Sequence, residues 1–283
     1  MVLGRIADEL VSGLGRVQAE AEGLLFEPVL RLGVTGLSRA GKTVFITSLV
    51  ANMLDRGKMP QLRAEAEGRI VAAFLQPQPD DGVPRFAFED HRAALSGPEP
   101  VWPASTRAIS ELRLSLKVRP ASWLSGLAGV RTLHLDIVDY PGEWLLDLPL
   151  MTMDFAAWSE AELAKPAGAA WTAALQGIEP EAELAEPVAA GLAVAWTDEL
   201  TRRREAGMAD CTPGRFLMPG DLAGSPALTF APLPPAPRAK GGSLHAQFAR
   251  RFEAYKRIVV RPFFRDHFAR IDRQVVLVDA LGA

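Results

Sequence analysis

The 283-residue chain is long enough to bury a large hydrophobic core, and its length predicts one large domain or two small ones. A formal net charge of −3 without a concentrated basic stripe argues against a nucleic-acid-binding protein. The single cysteine, Cys211, excludes an internal disulfide, and no stretch of about 18 apolar residues predicts a transmembrane helix. Because the N-terminus also lacks the apolar core of a signal peptide, we expect a cytoplasmic protein.

Residues 3–26 carry apolar side chains at helical spacing, which predicts an amphipathic helix within an N-terminal segment at 1–28. Its polar face mixes acids and bases, whereas membrane-surface helices are enriched in Lys and Arg. We therefore expect the apolar stripe to pack on the body of the protein, and a peripheral membrane or partner contact stays open. The stripe consists of Leu3, Ile6, Leu10, Leu14, Val17, Ala21 and Leu24.

The most informative segment is Gly36–Thr43, which reads Gly-x-x-x-x-Gly-Lys-Thr. It lies between an apolar run at 30–35 and an apolar helical pattern at 43–54. Strand, loop and helix in this order are typical of a P-loop. The alternative is a Gly-rich turn that only caps a helix, but such a turn does not require Lys followed by Thr.

The residue types of this loop fit polyphosphate binding. Gly36 and Gly41 allow backbone amides to point inward at a helix N-terminus, where anions are favoured. Lys42 would bring its ammonium to the β and γ phosphates, and the Thr43 hydroxyl would bind Mg²⁺. The expected phosphate contacts are Gly36, Ser38, Arg39, Ala40, Gly41, Lys42, Thr43 and Val44.

The next elements lead to a second part of the same site. Residues 63–75 are predicted to form a short helix, and the prolines between 77 and 103 predict an irregular stretch. Residues 112–118 and 133–138 alternate between apolar and polar side chains, which predicts two half-buried strands. The short link between these strands favours an antiparallel pair.

Asp139 closes the second strand and begins the sequence Asp-Tyr-Pro-Gly. Its carboxylate is expected at the C-terminal end of the strand, where it would hold Mg²⁺ through water. The N–H of Gly142 would then approach a γ-phosphate. An Asp turn after a strand is common by itself, but one strand after a P-loop it indicates the second half of a nucleotide site.

The rest of the chain predicts a helical insertion and a return to the sheet. Residues 151–206 have a helical composition, and their aromatic side chains are expected in the core. Arg202–Arg204 are expected to form a solvated helix end. Three further elements are predicted: a short strand at 228–230, a helix at 243–260 that Pro262 interrupts, and a parallel strand at 274–278 that is buried on both faces.

These motifs resemble those of the YcjX-like family, a bacterial branch of the Ras-like P-loop GTPases that is associated with stress response. The resemblance covers most of the chain, and Asp-Tyr-Pro-Gly-Glu-Trp is its most specific element. It implies a Ras-like G domain that takes GTP or GDP with Mg²⁺. It is carried by GLSRAGKT at 36–43, WPASTR at 102–107, DYPGEWLLDLPL at 139–150, FLMPGDLAG at 216–224 and RQVVLVD at 273–279.

The resemblance also assigns roles to individual residues. Thr106 resembles the switch I threonine that meets Mg²⁺ and the γ-phosphate, and Trp102, Ser105 and Arg107 beside it resemble further nucleotide contacts. An ordinary helix cap or strand entry is the alternative for all four. Glu143 takes the position where Ras-type proteins carry a water-orienting Gln, and its charge near phosphate predicts slow hydrolysis.

Three residues are expected to carry catalysis, namely Lys42, Glu143 and Arg39. Lys42 would offset the charge that spreads over the transferred phosphoryl group. Arg39 lies inside the loop, where it would act as an internal arginine finger. The alternative is a surface arginine that pairs with an acidic neighbour.

One departure from the family pattern concerns the base. Neither Asn-Lys-x-Asp nor Thr-Lys-x-Asp occurs in this sequence, so the preference for guanine follows from the resemblance alone, and the chain resembles a family member without its C-terminal part. The expected fold is an α/β P-loop NTPase with a mixed, mostly parallel sheet. Its expected divisions are a helix at 1–28, the first part of the G domain at 29–150, a mainly helical insertion at 151–240, and a helix and return strand at 241–283.

The function expected from these features is a GTP-hydrolysing regulatory switch linked to stress. Two alternatives remain open. One is an ATP-using, kinase-like P-loop enzyme. The other is a nucleotide-gated scaffold with little hydrolysis, whose helical insertion binds an unknown protein partner.

Overall fold

The computed structural model describes residues 27–103, 108–120 and 129–279. Within these ranges, no helix is both long and apolar enough to cross a membrane. Outside them lie several expected features, namely the amphipathic helix at 3–26 and the predicted site residues Ser105, Thr106 and Arg107.

The centre of the described chain is a mixed sheet of five strands, which are β1 (Val29–Gly36), β2 (Ile70–Gln76), β3 (Ser110–Val118), β4 (Arg131–Asp139) and β5 (Arg273–Leu277). Their order across the sheet is β2-β3-β4-β1-β5. β1 pairs in parallel with β4 and β5, whereas β3 pairs antiparallel with β2 and β4. Four strands thus point one way and β3 the other, which confirms the expected mixed, mostly parallel sheet and the antiparallel β3-β4 pair.

The helix that follows β1, α1 (Lys42–Leu54), covers one face of this sheet. Ile46 and Val50 of α1 are fully buried in a cluster with Val34 of β1 and Leu112 of β3. Burial of an aliphatic side chain of this size contributes about 1.5–3 kcal/mol. The cluster therefore fixes the start of α1 over the end of β1, and the predicted order of strand, loop and helix is confirmed.

The helix predicted at 63–75 is wrong beyond its first turn. Only α2 (Arg63–Ala66) is helical, and Gly68, with a left-handed φ of 62°, follows its end. From Ile70 the chain is β2, which pairs antiparallel with β3. The apolar spacing fitted a helix, but β3 offers this run a partner for its backbone groups, and tertiary pairing overrides local propensity.

Between β4 and β5 the chain is mainly helical, as expected for 151–206. Trp158, Trp171 and Trp196 are at most 1% exposed and lie in one core, which confirms the interpretation of the aromatic residues. Trp158 stacks on Phe252 with ring centroids 5.2 Å apart. The helical segments of this region are a 3-10 helix at Gly142–Thr152, α4 (Phe155–Leu163), α5 (Ala169–Leu175), α6 (Glu186–Glu205), α7 (Gly214–Leu217) and α8 (Leu244–Tyr255).

One helix lies earlier in the chain, in the stretch that was expected to be irregular. It is α3 (Phe88–Ser96), between β2 and β3.

The prediction of a solvated end for Arg202–Arg204 is wrong for Arg203, which is fully buried. Its Nη1 donates to Glu162 Oε2 at 2.9 Å and its Nε donates to Glu199 Oε1 at 2.8 Å. A buried guanidinium is tolerated when carboxylates pair with it in this way. Because Glu162 is 41 positions away in the chain, the basic run alone gave no sign of this pairing.

Two predictions near α8 also need correction. The strand expected at 228–230 is replaced by a 3-10 turn at Pro226–Leu228, and a proline at its start favours such a turn. The backbone after α8 does not break at Pro262, which has helical angles of φ −61° and ψ −45°. Instead, π-type turns flank this proline, and such turns are a common response to a disturbed helical ladder.

β5 forms an edge of the described sheet. It pairs in parallel with β1, as predicted, but no second strand of the described ranges lies on its other side. Val276 is 59% exposed and Val278 is 77% exposed, so the expectation of a strand buried on both faces is wrong for this structure. A continuous apolar run indicates a strand, but it does not identify what covers its faces.

Candidate functional site

The carboxyl ends of β1 and β4 bring two loops to the same edge of the sheet. These strands are parallel, and Val34 lies opposite Asp139 in their register. The Gly36–Thr43 loop follows β1, and the turn from Asp139 to Gly142 follows β4. This edge is where ligands bind in open α/β sheets. Asp139 therefore lies at the C-terminal end of its strand, as expected, and the structure shows that this strand is a neighbour of β1.

The Gly36–Thr43 loop is tightly curled. Gly36 has a φ of 154°, and a Cβ there would lie 2.4 Å from the carbonyl oxygen of Leu277. Gly41, the N-cap of α1, is left-handed with φ 84° and ψ 18°. Arg39 has a φ of 71°, and the left-handed conformation costs a non-glycine residue roughly 1–2 kcal/mol. Left-handed residues within such a loop produce the backbone concavity that binds anions.

Lys42, at the first position of α1, is only 5% exposed. Its Nζ donates to the carbonyl oxygen of Gly36 at 2.7 Å, so the side chain folds back over the loop. Burial lowers the pKa of Lys42, and the nearby charges of Asp139 and Glu143 oppose this effect. The ammonium therefore lies in an acidic environment inside the loop that begins its own helix.

Thr43 and Asp139 supply the hard oxygen atoms expected of a magnesium site. Both are buried, with Thr43 9% exposed and Asp139 2% exposed. Within the described residues, no group of three or more His, Cys, Asp or Glu side chains could hold a metal by itself. A site with one carboxylate and one hydroxyl fits Mg²⁺, which usually takes its other ligands from water and substrate phosphates.

Gly142 and Glu143 bring the β4 turn against the loop. A Cβ on Gly142 would lie 2.6 Å from the carbonyl carbon of Gly36 and 3.0 Å from the amide nitrogen of Leu37, so only glycine fits this contact. Glu143 is 1% exposed, and its Oε1 accepts the backbone N–H of Ser38 at 3.0 Å. A carboxylate thus binds an amide of the loop in this conformation.

A model of the YcjX-like family, DUF463, matches residues 30–283. The chain belongs to the YcjX-like family. It is similar to two curated proteins named Ras-like GTPase YcjX, with 42% identity over 271 residues to that of Escherichia coli K12 and 36% over 307 residues to that of Shewanella oneidensis MR-1. These alignments cover 89% and 95% of this chain but 58% and 62% of those proteins, so the chain spans about three fifths of their length.

In this YcjX-like chain, Asp147 and its hydrogen-bond partners lie next to the turn that carries Glu143, and the sequence did not predict them. Asp147 is 3% exposed, and its carboxylate accepts the N–H groups of Gly214 at 2.7 Å and Arg215 at 3.2 Å. The hydroxyl of Tyr255 also donates to it. Gly214 packs on Glu143, since a Cβ on Gly214 would lie 1.8 Å from the Glu143 carbonyl oxygen. Asp147 thus joins the helical region to the turn that carries Glu143.

The sequence contains one indication that Asp147 is buried, but it does not identify the partners of this acid. Asp147 is a single acid within the apolar run 144–150, and an acid in such a run is buried only with partners. Those partners come from α7 and α8, far along the chain.

The neighbouring Trp144 makes two further contacts with this part of the chain. The Arg215 guanidinium lies 3.3 Å from the Trp144 ring centroid, and Trp144 Nε1 donates to the carbonyl of Met218 at 3.2 Å.

The other predicted nucleotide contacts within the described residues differ in their exposure to solvent. Trp102 is 68% exposed, so it does not pack on the loop in this conformation. Arg39 is exposed, and no ion pair joins it to a carboxylate of the described residues. Ala40 and Val44 are partly buried next to Gly41 and Lys42, as expected from their positions.

Burial raises the pKa of Asp147 from 3.8 to about 6, although the bonds from Tyr255, Gly214 and Arg215 lower it. The folded state therefore binds this proton more tightly than the unfolded state. The contribution of Asp147 to the free energy of unfolding should rise as the pH falls through about 6 towards about 4, and it should decline as the pH rises again.

We expect the Asp147→Asn variant to lose this pH dependence. Melting temperatures of the parent and the variant should be measured at about pH 7.5 and about pH 5. Relative to the variant, the parent should gain stability on acidification. Asp198→Asn, which changes an exposed acid on α6, serves as the control and should keep the parent's pH dependence. Parallel profiles for the parent and Asp147→Asn would show that Asp147 does not titrate in this range.

Proposed function

We propose that this chain binds GTP and GDP with Mg²⁺ in the Gly36–Thr43 loop and hydrolyses GTP as a regulatory switch. The observation that carries the proposal is the convergence of Lys42, Asp139 and Gly142 at one edge of the sheet. The names of the relatives, Ras-like GTPase, support guanine nucleotide as the ligand.

The geometry of the loop supports the phosphate part of the proposal. Its amides end at the N-terminus of α1, where the helix dipole favours anions. Lys42 Nζ lies over the loop on the Gly36 carbonyl, and in a nucleotide complex it would donate to a phosphate oxygen instead. The residues proposed to contact phosphate are Gly36, Ser38, Arg39, Ala40, Gly41, Lys42, Thr43, Val44 and Gly142.

The proposed magnesium ligands are Thr43, Asp139 and Thr106. Thr43 and Asp139 provide oxygen atoms at the adjoining ends of α1 and β4, and Thr106 belongs to the proposal through the family resemblance. Bound Mg²⁺ would neutralise charge on the β and γ phosphates. The chain's own part is to hold the phosphates, exclude water around Lys42 and orient the Asp139 carboxylate.

The choice of base is tested by competition binding. The Gly36–Thr43 loop is expected to bind phosphates and not the base, and neither Asn-Lys-x-Asp nor Thr-Lys-x-Asp occurs in this sequence, so the preference for guanine rests on the names of the relatives. We expect a fluorescent GDP analogue with Mg²⁺ to bind the chain and to be displaced by GDP far better than by ADP. Equal displacement by ADP would favour the ATP-using enzyme instead.

Hydrolysis is tested by phosphate release from GTP. We expect slow release that exceeds that of a Lys42→Ala control, because Glu143 replaces the water-orienting glutamine. Nucleotide binding without release above this control would favour the scaffold, whose partner would bind the helical region. The contact between Gly214 and Glu143 gives the scaffold alternative a physical connection from the loop to that region. The stress-linked role stays a prediction from the resemblance.

We predict that Arg39→Ala lowers kcat for GTP, because Arg39 is proposed as an internal arginine finger. Arg39 is exposed, and its backbone is left-handed with a φ of 71°. Arginine fingers contribute about 10³-fold or more to kcat, so a steady-state assay would detect the loss easily. Arg250→Ala on α8 provides a matched exposed control. An unchanged kcat for Arg39→Ala would leave Arg39 a surface residue.

A further inference from the structure

The Glu143 side chain occupies an unusual place for a carboxylate. It is 1% exposed, its Oε1 accepts the Ser38 N–H at 3.0 Å, and its charge acts on Lys42. Its Oε2 is buried without a hydrogen-bond partner among the described residues. A carboxylate that binds a loop amide and lies near the loop lysine has two of the contacts expected of a phosphate oxygen.

The position of Ser38 indicates which phosphate would make the same contact. The later amides of the loop, from Gly41 onward, lie at the N-terminus of α1, whereas Ser38 lies near the end of β1. Gly142, which is expected at a γ-phosphate, packs directly on Gly36 and the amide nitrogen of Leu37. The Ser38 amide is therefore on the terminal-phosphate side of the loop.

On the basis of the proposed function, we infer that Glu143 is a specificity-determining residue whose carboxylate takes the place of the terminal phosphate. A diphosphate leaves the Ser38 amide to Glu143. A triphosphate must displace the carboxylate, because two anions cannot share one amide at hydrogen-bond distance without strong repulsion. Glu143 therefore makes the loop prefer GDP over GTP.

The surroundings of Glu143 explain why its carboxylate can bind the Ser38 amide and can also leave it. Gly214 packs on the Glu143 carbonyl oxygen and so fixes the backbone of the residue, which leaves side-chain rotation as the route by which the carboxylate departs. Oε2 is buried without a hydrogen-bond partner among the described residues, so this half of the carboxylate does not help to hold it in place. A terminal phosphate has three oxygen atoms for the amides and Lys42, so it can compete with the carboxylate.

The test compares the affinities of the full chain for GDP and for a non-hydrolysable GTP analogue, both with Mg²⁺, by isothermal titration calorimetry. In the parent, GDP should bind more tightly. Charge-assisted hydrogen bonds contribute about 1.5–3 kcal/mol, so Glu143→Ala should lower the ratio of the two dissociation constants, triphosphate over diphosphate, by about tenfold or more. Glu143→Gln, which retains the shape of the side chain, should shift the ratio in the same direction.

A control separates this effect from a general loss of structure. Glu160→Gln changes an exposed glutamate on α4 and should leave the ratio unchanged. If the parent binds both nucleotides and neither Glu143 variant changes the ratio, the inference is wrong while the proposed function stands. If the parent binds neither nucleotide, both are wrong.

Discussion

Replacing Lys42 with alanine is expected to abolish binding of GDP and GTP. The Lys42 ammonium is buried beside Asp139 and Glu143, which are both nearly inaccessible to solvent. Without it, a polyphosphate would meet the two buried carboxylates of Asp139 and Glu143, and the exposed Arg39 would be the remaining side-chain cation of the Gly36–Thr43 loop. Removing one partner of a buried charge pair costs about 2–5 kcal/mol, so the affinity should fall by about 30-fold or more.

The loss is best measured by titration calorimetry with magnesium nucleotides. Lys58→Ala, which removes a largely exposed lysine just after α1, is the matched control and should bind as the parent does. A melting curve should accompany each titration, because Lys42 also donates to the Gly36 carbonyl within the folded chain. A folded Lys42→Ala variant with the parent's affinity would refute the assignment of this lysine.

Replacing Gly214 with alanine is expected to destabilise the chain strongly. A Cβ would lie 1.8 Å from the carbonyl oxygen of Glu143 and 2.7 Å from its carbonyl carbon, and both atoms belong to the backbone. The turn at Gly214 would have to move, which would pull the N–H groups of Gly214 and Arg215 away from the buried Asp147 carboxylate. An unsatisfied buried acid costs about 1–3 kcal/mol or more, so we expect a total loss of about 3–5 kcal/mol.

Thermal unfolding measures this loss, which corresponds to a fall in melting temperature on the order of 10 °C for a chain of this size. Gly191→Ala is a matched control, since Gly191 is exposed in α6 and a Cβ there meets no atom within 4 Å. That control should be neutral or slightly stabilising, because alanine favours the helix by about 1 kcal/mol. Equal melting temperatures for the two variants would mean that the Gly214 contact is not tight in solution.

The parts of the fold that the sequence predicted correctly are those with local signals. Gly36, Gly41 and Lys42 lie within one short loop, and the strands around them alternate regularly. Asp139 ends an alternating strand, so its place at a strand end could be predicted, whereas the parallel pairing of that strand with β1 comes from the structure. Residues whose signals are local in the chain could therefore be placed in the fold without coordinates.

The parts that were wrong or missed depend on contacts between distant segments. β2 has helical spacing, and only its pairing with β3 makes it a strand. Arg203 lies in a basic run that is typical of a solvated helix end, but Glu162 of another helix pairs with it. Asp147 is held by residues of α7 and α8. The spacing of residues in the sequence carries no information on such partners.

The most direct test of the account is hydrogen–deuterium exchange of the full chain with and without magnesium and GDP. We predict that nucleotide slows amide exchange in two segments, the Gly36–Val44 loop and the turn at 139–144, and that Lys42→Ala removes this protection. Protection that appears elsewhere while both segments stay unchanged would contradict the account.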